Sequence, residues 1–260
     1  MKFAPTFVIS VLNSSRYFYM KKQVTHWPFP TTFLTEQYVV NVNGEIHTKG
    51  KTFCLSSHVN AIRKSLTEMD ALNSTYSIIL EDDVAISEAN LSELSKLEFE
   101  TRNWDFILLA YHADTLTRRR IKKQHTYPFT TKGNLNAYGT PAYAISRRAA
   151  LDVTKATQFY NETVFIPEQC PISSISPDDC ILSGKIVKKN WDIRLATPPL
   201  LWHPVADAKA NTPLFESSFH SNSYLHTQSS LWAKKWSAER WRWTATDGHP
   251  SRHSLRTLRT

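Results

Sequence analysis

The chain has 260 residues with 41% hydrophobic and 21% charged side chains, and its formal net charge is +8. This balance excludes an intrinsically disordered chain, and no apolar run approaches the ~20 residues of a membrane-spanning helix. The six glycines form neither G-x-G-x-x-G nor G-x-x-x-x-G-K. A Rossmann dinucleotide site and a P-loop are therefore excluded, because both need glycine where backbone amides approach phosphate.

The cysteines and the amino-terminal residues predict a cytoplasmic protein. Cys54, Cys170 and Cys180 match no C-x-x-C pattern, and we expect buried thiols rather than a Cys170–Cys180 bridge. The apolar stretch within residues 1 to 12 is too short and too polar for a secretory signal. The positive net charge favours a phosphate-bearing partner, which the charge alone leaves open between nucleic acid, nucleotide and lipid surface.

The first predicted elements are a strand and a helix. Residues 7 to 11 are apolar and β-rich, and the polar run Asn13–Ser15 offers N-cap oxygens to a helix that ends near Val24. Proline and glycine divide residues 27 to 53 into loops and short extended pieces.

Regular elements follow in alternation. Ser56 and Ser57 cap a helix whose apolar residues recur at helical spacing. Residues 76 to 80 form an apolar strand, Ser87 caps a further helix, and residues 105 to 110 form another strand. This order favours an α/β sheet with helices on both faces.

The second half of the chain predicts fewer elements, and we expect one domain with a core at 1–204 and a C-terminal segment at 205–260 packed on it. In chain order the predicted pieces are a polar loop at 111–136, a strand at 143–145, a helix capped by Ser146 that runs to about Gln158, a proline-rich loop at 161–177, a helix opened by Asp178 and Asp179, and a last core strand at 191–196.

Three acids, Glu81, Asp82 and Asp83, end the apolar strand at 76–80. Ligands of open α/β sheets collect at the carboxyl ends of strands, and clustered carboxylates raise one another's pKa or bind a cation. Hard Mg²⁺ or Mn²⁺ takes one or two protein carboxylates and completes its shell with substrate phosphates. The alternative is that the acids cap the next helix or form surface ion pairs.

Four short motifs resemble, in order and approximate spacing, those of glycosyltransferase family 25, the lipooligosaccharide and collagen galactosyltransferase group. The resemblance covers roughly residues 5 to 200, and four motifs in sequence are more specific than any one alone. The chain departs from the pattern at Phe53, where the family has glycine, and it lacks an Asp-Ala marker upstream. The matching residues are Cys54, Ser57 and His58; Glu81 to Val84; Gly139, Thr140, Tyr143, Ser146 and Arg147; and Pro177, Asp178 and Asp179.

The resemblance implies a GT-A-type nucleotide-sugar-binding fold, with a mostly parallel sheet flanked by helices. It also implies metal-dependent transfer of a hexose, galactose or glucose, from a UDP-sugar donor to a glycan or glycolipid acceptor, with inversion. The implied cofactor is Mn²⁺ or Mg²⁺. The alternative is a catalytically inactive relative that serves as a scaffold or adhesion module.

The resemblance assigns roles to single residues as well. Each role has a structural alternative: His58 packs inside the protein, an aspartate caps the helix it opens, and His220 is an exposed loop residue. The implied roles are metal ligation by Asp83 and His220, donor binding by Glu81, Asp82, His58, Gly139 and Thr140, with the last two in a tight turn beside the donor sugar, and proton abstraction by Asp178 or Asp179.

Two basic segments bear on partners. The run Arg118–Lys123 draws an anionic acceptor to the cleft or is a solvated loop. Residues 231 to 243 place tryptophans on one helical stripe among basic residues, which suits a membrane interface or packing onto the core. We expect no nucleic-acid partner, because the acids would repel its phosphates.

Overall fold

Two β-sheets and the helices packed on them form the framework of the computed structural model, which describes residues 4–48, 50–86, 91, 94, 104–113, 137–167, 170, 177–196 and 200–201. The basic run at 118–123, His220, the tryptophan-rich segment at 231–243 and the predicted C-terminal segment at 205–260 lie outside the described residues.

The larger sheet has six strands in the order β10-β6-β7-β5-β1-β2. Its neighbours run parallel except for β7, which is antiparallel to both β5 and β6. The predicted fold class, an α/β fold with a mostly parallel sheet flanked by helices, is confirmed. In chain order all strands are β1 (Thr6–Ile9), β2 (Thr31–Leu34), β3 (Val39–Val42), β4 (Glu45–His47), β5 (Tyr76–Glu81), β6 (Phe106–Ala113), β7 (Ala137–Ser146), β8 (Gln158–Tyr160), β9 (Thr163–Ile166) and β10 (Ile193–Leu195).

The smaller sheet, with the order β4-β3-β9-β8, is absent from the sequence prediction, which placed loops and short extended pieces at 27–53 and a proline-rich loop at 161–177. Its strands have three or four residues each, too few for a clear periodicity. One local signal was available. Asn43 and Gly44 form the two-residue turn between β3 and β4, both with positive φ, and Asn-Gly is the strongest short hairpin signal.

Three α-helices account for most of the helical residues that the structure describes. Ser14 caps the first through an oxygen that accepts from the Tyr17 amide, and Ser146 caps the third through an oxygen that accepts from the Ala149 amide. Both caps confirm the sequence prediction. The helices are α1 (Ser15–Gln23), α2 (Gly50–Ala71) and α3 (Arg147–Ala156).

The start of α2 differs from the prediction, because the helix begins at Gly50 and Ser56 and Ser57 lie inside it. The Ser56 hydroxyl donates to the Phe53 carbonyl oxygen at 2.9 Å and to the Tyr38 carbonyl oxygen at 2.7 Å. A serine inside a helix bonds backward to its own backbone in this way. The hydroxyl therefore ties α2 to the residue before β3 and caps nothing.

The helix predicted from Asp178 and Asp179 is a short segment of π type, Asp178–Leu182, followed by a 3₁₀ turn at Lys185–Val187. Gly184 separates the two with φ of +74°. A Cβ there would lie 1.7 Å from the carbonyl oxygen of Lys189, so only glycine fits this turn.

Both faces of the larger sheet are buried. Ile79 of β5 packs in a cluster with residues of α2 and α3, whereas Ile78 and Leu80 pack on the other face with Met20 of α1. Successive residues of a strand point to opposite faces, which explains why the consecutive residues Ile78, Ile79 and Leu80 are all apolar and all buried.

The state of the three cysteines was predicted from the sequence. None of the three cysteines forms a disulfide, and Cys170 and Cys180 are buried, as expected. Within the described part of the chain, no helix has the length and apolar character to cross a membrane.

Candidate active site

The acids occupy the edge of the sheet at which the parallel strands end. Glu81 is the last residue of β5, and its partner in the parallel register is Ile9, the last residue of β1. Ser10 follows β1 directly, so it lies beside the residues that follow β5. The predicted position of the acids at the carboxyl ends of the strands is confirmed.

Asp82 and Asp83 are both buried, at 8% and 4% exposure. The Ser10 hydroxyl donates to Oδ2 of Asp82 at 2.6 Å. Burial and, next, the charge of Asp83 raise the pKa of Asp82 to about 6, although the Ser10 hydrogen bond and the nearby guanidinium of Arg16 oppose the shift. Ser10 and Arg16 therefore stabilise the negative charge of Asp82 only in part.

Arg16 supplies positive charge among these acids. Its guanidinium donates to Oδ2 of Asp83 at 3.0 Å and lies 3.7 Å from Oδ1 of Asp82. Sequence reasoning missed this residue. Its position in the sequence was the available signal. Arg16 lies in the first turn of the helix after β1, and because β1 runs parallel to β5, that turn lies at the same edge of the sheet as the acids.

A second group of side chains surrounds Glu81. Its Oε1 accepts a hydrogen bond from the Thr140 hydroxyl at 3.2 Å and lies 3.1 Å from Nε2 of His58. The other ring nitrogen of His58 lies 3.0 Å from the hydroxyl of Tyr143, and both rings are fully buried. The structure thus brings together three of the residues predicted to bind the sugar donor, and His58 is held inside the protein against Glu81.

Gly139 was predicted to form a tight turn and instead lies within β7. The strand is irregular there, because its register with β6 shifts between Ala110 and His112 and Pro141 has no amide hydrogen to donate. Gly139 has φ of +95°, a conformation that glycine adopts without steric cost. The bulged strand continues past this point and carries Thr140 to Glu81.

The remaining predicted residues are placed only in part. The helix that begins at Asp178 packs against β7, the strand that carries Thr140, and its Cys180 and Ile181 join the same core cluster as Tyr143. The side chains of Asp178 and Asp179 and the whole of His220 lie outside what the structure describes, so their roles stay predictions.

The arrangement is suited to binding a cation. Asp82 and Asp83 present carboxylate oxygens, the ligands that Mg²⁺ and Mn²⁺ prefer, and one guanidinium balances only part of their charge. A divalent cation at this edge would favour the ionised form of Asp82, which burial disfavours.

Comparison with known proteins gives one family. The family described as "Glycosyltransferase family 25 (LPS biosynthesis protein)" matches residues 30–170, which is more than half of the chain. These residues include β5, its acids and the β7 segment. No curated protein matches the chain.

Several solved structures resemble the chain at low identity. A glycosyltransferase involved in glycosylation of the major capsid of PBCV-1 is 10% identical, with 77% of this chain and 93% of that one covered and a TM-score of 0.46. The A197 protein from STIV is 12% identical, with 64% and 82% covered and a TM-score of 0.34. The inositol-1-phosphate CTP transferase from T. maritima is 8% identical, with 90% and 98% covered and a TM-score of 0.38.

Proposed function

This chain belongs to glycosyltransferase family 25, and we propose that it is a metal-dependent enzyme of the GT-A type. It transfers a hexose, galactose or glucose, from a UDP-sugar to a glycan or glycolipid acceptor with inversion at the anomeric carbon. The observation that carries the proposal is the pair of buried, crowded carboxylates, Asp82 and Asp83, after β5.

Asp83 is the proposed direct ligand of Mn²⁺ or Mg²⁺, and Asp82 reaches the cation or its bound water. His220 is the proposed further ligand from the C-terminal residues. When bound, the cation would neutralise the charge that develops on the departing diphosphate. The guanidinium of Arg16, 3.0 Å from Oδ2 of Asp83, neutralises part of the charge of that carboxylate.

The donor is proposed to lie along the edge formed by the ends of β1, β5 and β7. Glu81 and Asp82 accept hydrogen bonds from ribose hydroxyls, and Gly139 and Thr140 lie beside the sugar. His58 is too deeply buried to reach far into the cleft, so its contribution is to hold Glu81 in place through the 3.1 Å contact.

A carboxylate must take the proton of the acceptor hydroxyl as its oxygen attacks the anomeric carbon. We assign this role to Asp178 or Asp179. Support comes from the helix that they open, which packs against β7 and therefore against the strand that carries Thr140. Deprotonation at this point makes the attacking oxygen a better nucleophile and leaves the proton on the protein.

The proposed acceptor partners involve segments beyond the described residues. The basic run at 118–123 would attract an anionic glycan or lipid head group, and the tryptophan-rich segment at 231–243 would contact a membrane surface from the cytoplasmic side.

The decisive experiment replaces Asp83 with alanine. We expect UDP release from UDP-galactose or UDP-glucose, measured with Mn²⁺ and a truncated lipooligosaccharide as acceptor probe, to fall at least about 100-fold. Calorimetry should show the loss of Mn²⁺ binding in the presence of UDP. The matched control is Asp70→Ala, which removes an exposed carboxylate paired with Arg147 and should retain both. Undiminished transfer in Asp83→Ala would remove the metal role.

One observation favours a second candidate, a catalytically inactive scaffold or adhesion module. Arg16 already pairs with Asp83, so the acids have a counter-charge from the protein itself. Such a module should bind neither UDP nor Mn²⁺ in calorimetry, whereas the enzyme should bind the two jointly, with each tightening the other.

A further inference from the structure

A second group of potential metal ligands lies beside the acids and differs from them in chemistry. Cys54 and His58 are four residues apart on α2, which places them on one face of the helix. Glu81 approaches that face from the end of β5. One ligand atom from each residue lies within 4.8 Å of the other two.

The ring of His58 is oriented as a metal ligand would need. Its Nδ1 lies 3.0 Å from the Tyr143 hydroxyl, and the two rings stack with an angle of 24° between their planes. Metal-bound histidines almost always donate their second ring N–H to an oxygen, and a tyrosine hydroxyl can accept as well as donate. Tyr143 therefore turns Nε2 of His58 toward Glu81.

The spacing between His58 and Glu81 also suits a shared ion. Their Nε2 and Oε1 atoms are 3.1 Å apart, and two ligands about 2 Å from one tetrahedral ion lie roughly 3.3 Å from each other. The Thr140 hydroxyl donates to the same oxygen at 3.2 Å, which supports the carboxylate from outside. Cys54 is half-buried.

We propose that Cys54, His58 and Oε1 of Glu81 bind Zn²⁺ at a site separate from the Mn²⁺ or Mg²⁺ site assigned to Asp83, which leaves the second oxygen of Glu81 for the ribose hydroxyl. A thiolate, an imidazole and a carboxylate are the ligands of zinc, whereas the hard cations take oxygen. Three protein ligands leave the fourth tetrahedral position to water. Binding releases the Cys54 thiol proton to solvent, and the ion joins α2 to the end of β5.

The site is tested by titrating the full chain with Co²⁺, without nucleotide or Mn²⁺. Cobalt bound to a thiolate absorbs in the near-ultraviolet through sulfur-to-cobalt charge transfer. We expect this band to saturate at one ion per chain, to disappear on addition of Zn²⁺, and to be absent in Cys54→Ser. The matched control is Cys170→Ala, which removes a different buried thiol and should retain the band.

Two further variants separate this proposal from structural damage and from the proposed function. Tyr143→Phe should keep the band but weaken zinc binding roughly 10-fold, because it removes only the oxygen that orients His58. Asp83→Ala should bind cobalt and zinc as the unaltered chain does, even though it loses Mn²⁺ and UDP. The proposal is overturned if no band forms, if the band survives in Cys54→Ser, or if the band is lost in Asp83→Ala.

Discussion

Two buried aspartates at opposite edges of the larger sheet differ in how far the protein compensates their negative charge. Asp105 precedes β6 at the amino-terminal edge, and Asp82 follows β5 at the carboxyl-terminal edge. Arg148 donates to Oδ1 of Asp105 at 3.0 and 2.7 Å through two nitrogens, and the Asp192 amide donates to Oδ2 at 3.0 Å. Among the residues that the structure describes, Asp82 receives one hydrogen bond, from Ser10, and it has a second buried carboxylate beside it.

Hydrogen bonds compensate the burial of Asp105 more fully than that of Asp82. Each oxygen of Asp105 has a donor, and its hydrogen bonds join α3 and the start of β10 to β6, which is the arrangement expected of a group that holds a fold together. Asp82 has a pKa raised to about 6 by burial and by Asp83. A strongly perturbed acid at the ligand-binding edge of a sheet is the typical signature of a functional site.

The largest effect expected from this comparison is on stability at the structural aspartate. Asp105→Ala should lower the free energy of unfolding by about 2 to 3 kcal/mol, because the Asp192 amide loses its acceptor inside the protein. Denaturation in urea measures this loss, and transfer per folded molecule should not change. Asp152→Ala breaks a half-exposed pair with Lys189 and should cost less than about 1 kcal/mol. Equal losses in the two variants would contradict the structural role of Asp105.

A smaller effect is expected from Asp82, which should make the free energy of unfolding depend on pH. The pKa of Asp82 is raised on folding, so its contribution favours the folded state at low pH and is lost as the pH rises through about 6. With chelator present, the unaltered chain should lose about 1.5 kcal/mol relative to Asp82→Asn between about pH 5 and pH 7.5. Parallel stability profiles of the two proteins would show that Asp82 does not titrate in this range.

The smallest effect concerns the one hydrogen bond that Asp82 receives. Ser10→Ala should raise the pKa of Asp82 further and lower stability near pH 7.5 by about 1 kcal/mol, with a smaller loss near pH 5, where the carboxyl is protonated. Ser77→Ala removes a buried hydroxyl that donates to the neutral Pro5 carbonyl oxygen and should cost the same at both pH values. A pH-independent loss in Ser10→Ala would mean that its hydroxyl does not stabilise the charged form.

Much of the larger sheet could be predicted because its signals are local. Three consecutive apolar residues precede Glu81 in its strand, and Ser14 and Ser146 are capping residues directly before their helices. The smaller sheet could not be predicted in the same way. Its central pairing joins β3 to β9, two short segments more than 100 residues apart, and only the Asn-Gly turn was visible in advance.

The candidate site divides along the same line. The acids were found because they follow an apolar strand, but their partners Ser10 and Arg16 lie 72 and 67 residues away along the chain. The end of β1 brings both to the acids, and no spacing rule within the sequence reports that contact. The family resemblance implied a turn at Gly139 and Thr140, whereas pairing with β6 keeps the segment within a strand.

The order of pairing in both sheets has a consequence for synthesis of the protein. Among the described strands, the parallel neighbour of β6 is β10 and that of β3 is β9. Both β6 and β3 are therefore synthesised long before these parallel neighbours. Pairings of such long sequence separation form slowly. A nascent chain that has not reached Thr163 leaves an edge of β3 unpaired, and one that has not reached Ile193 leaves an edge of β6 unpaired. Unpaired strand edges of this kind make partly synthesised chains prone to aggregate.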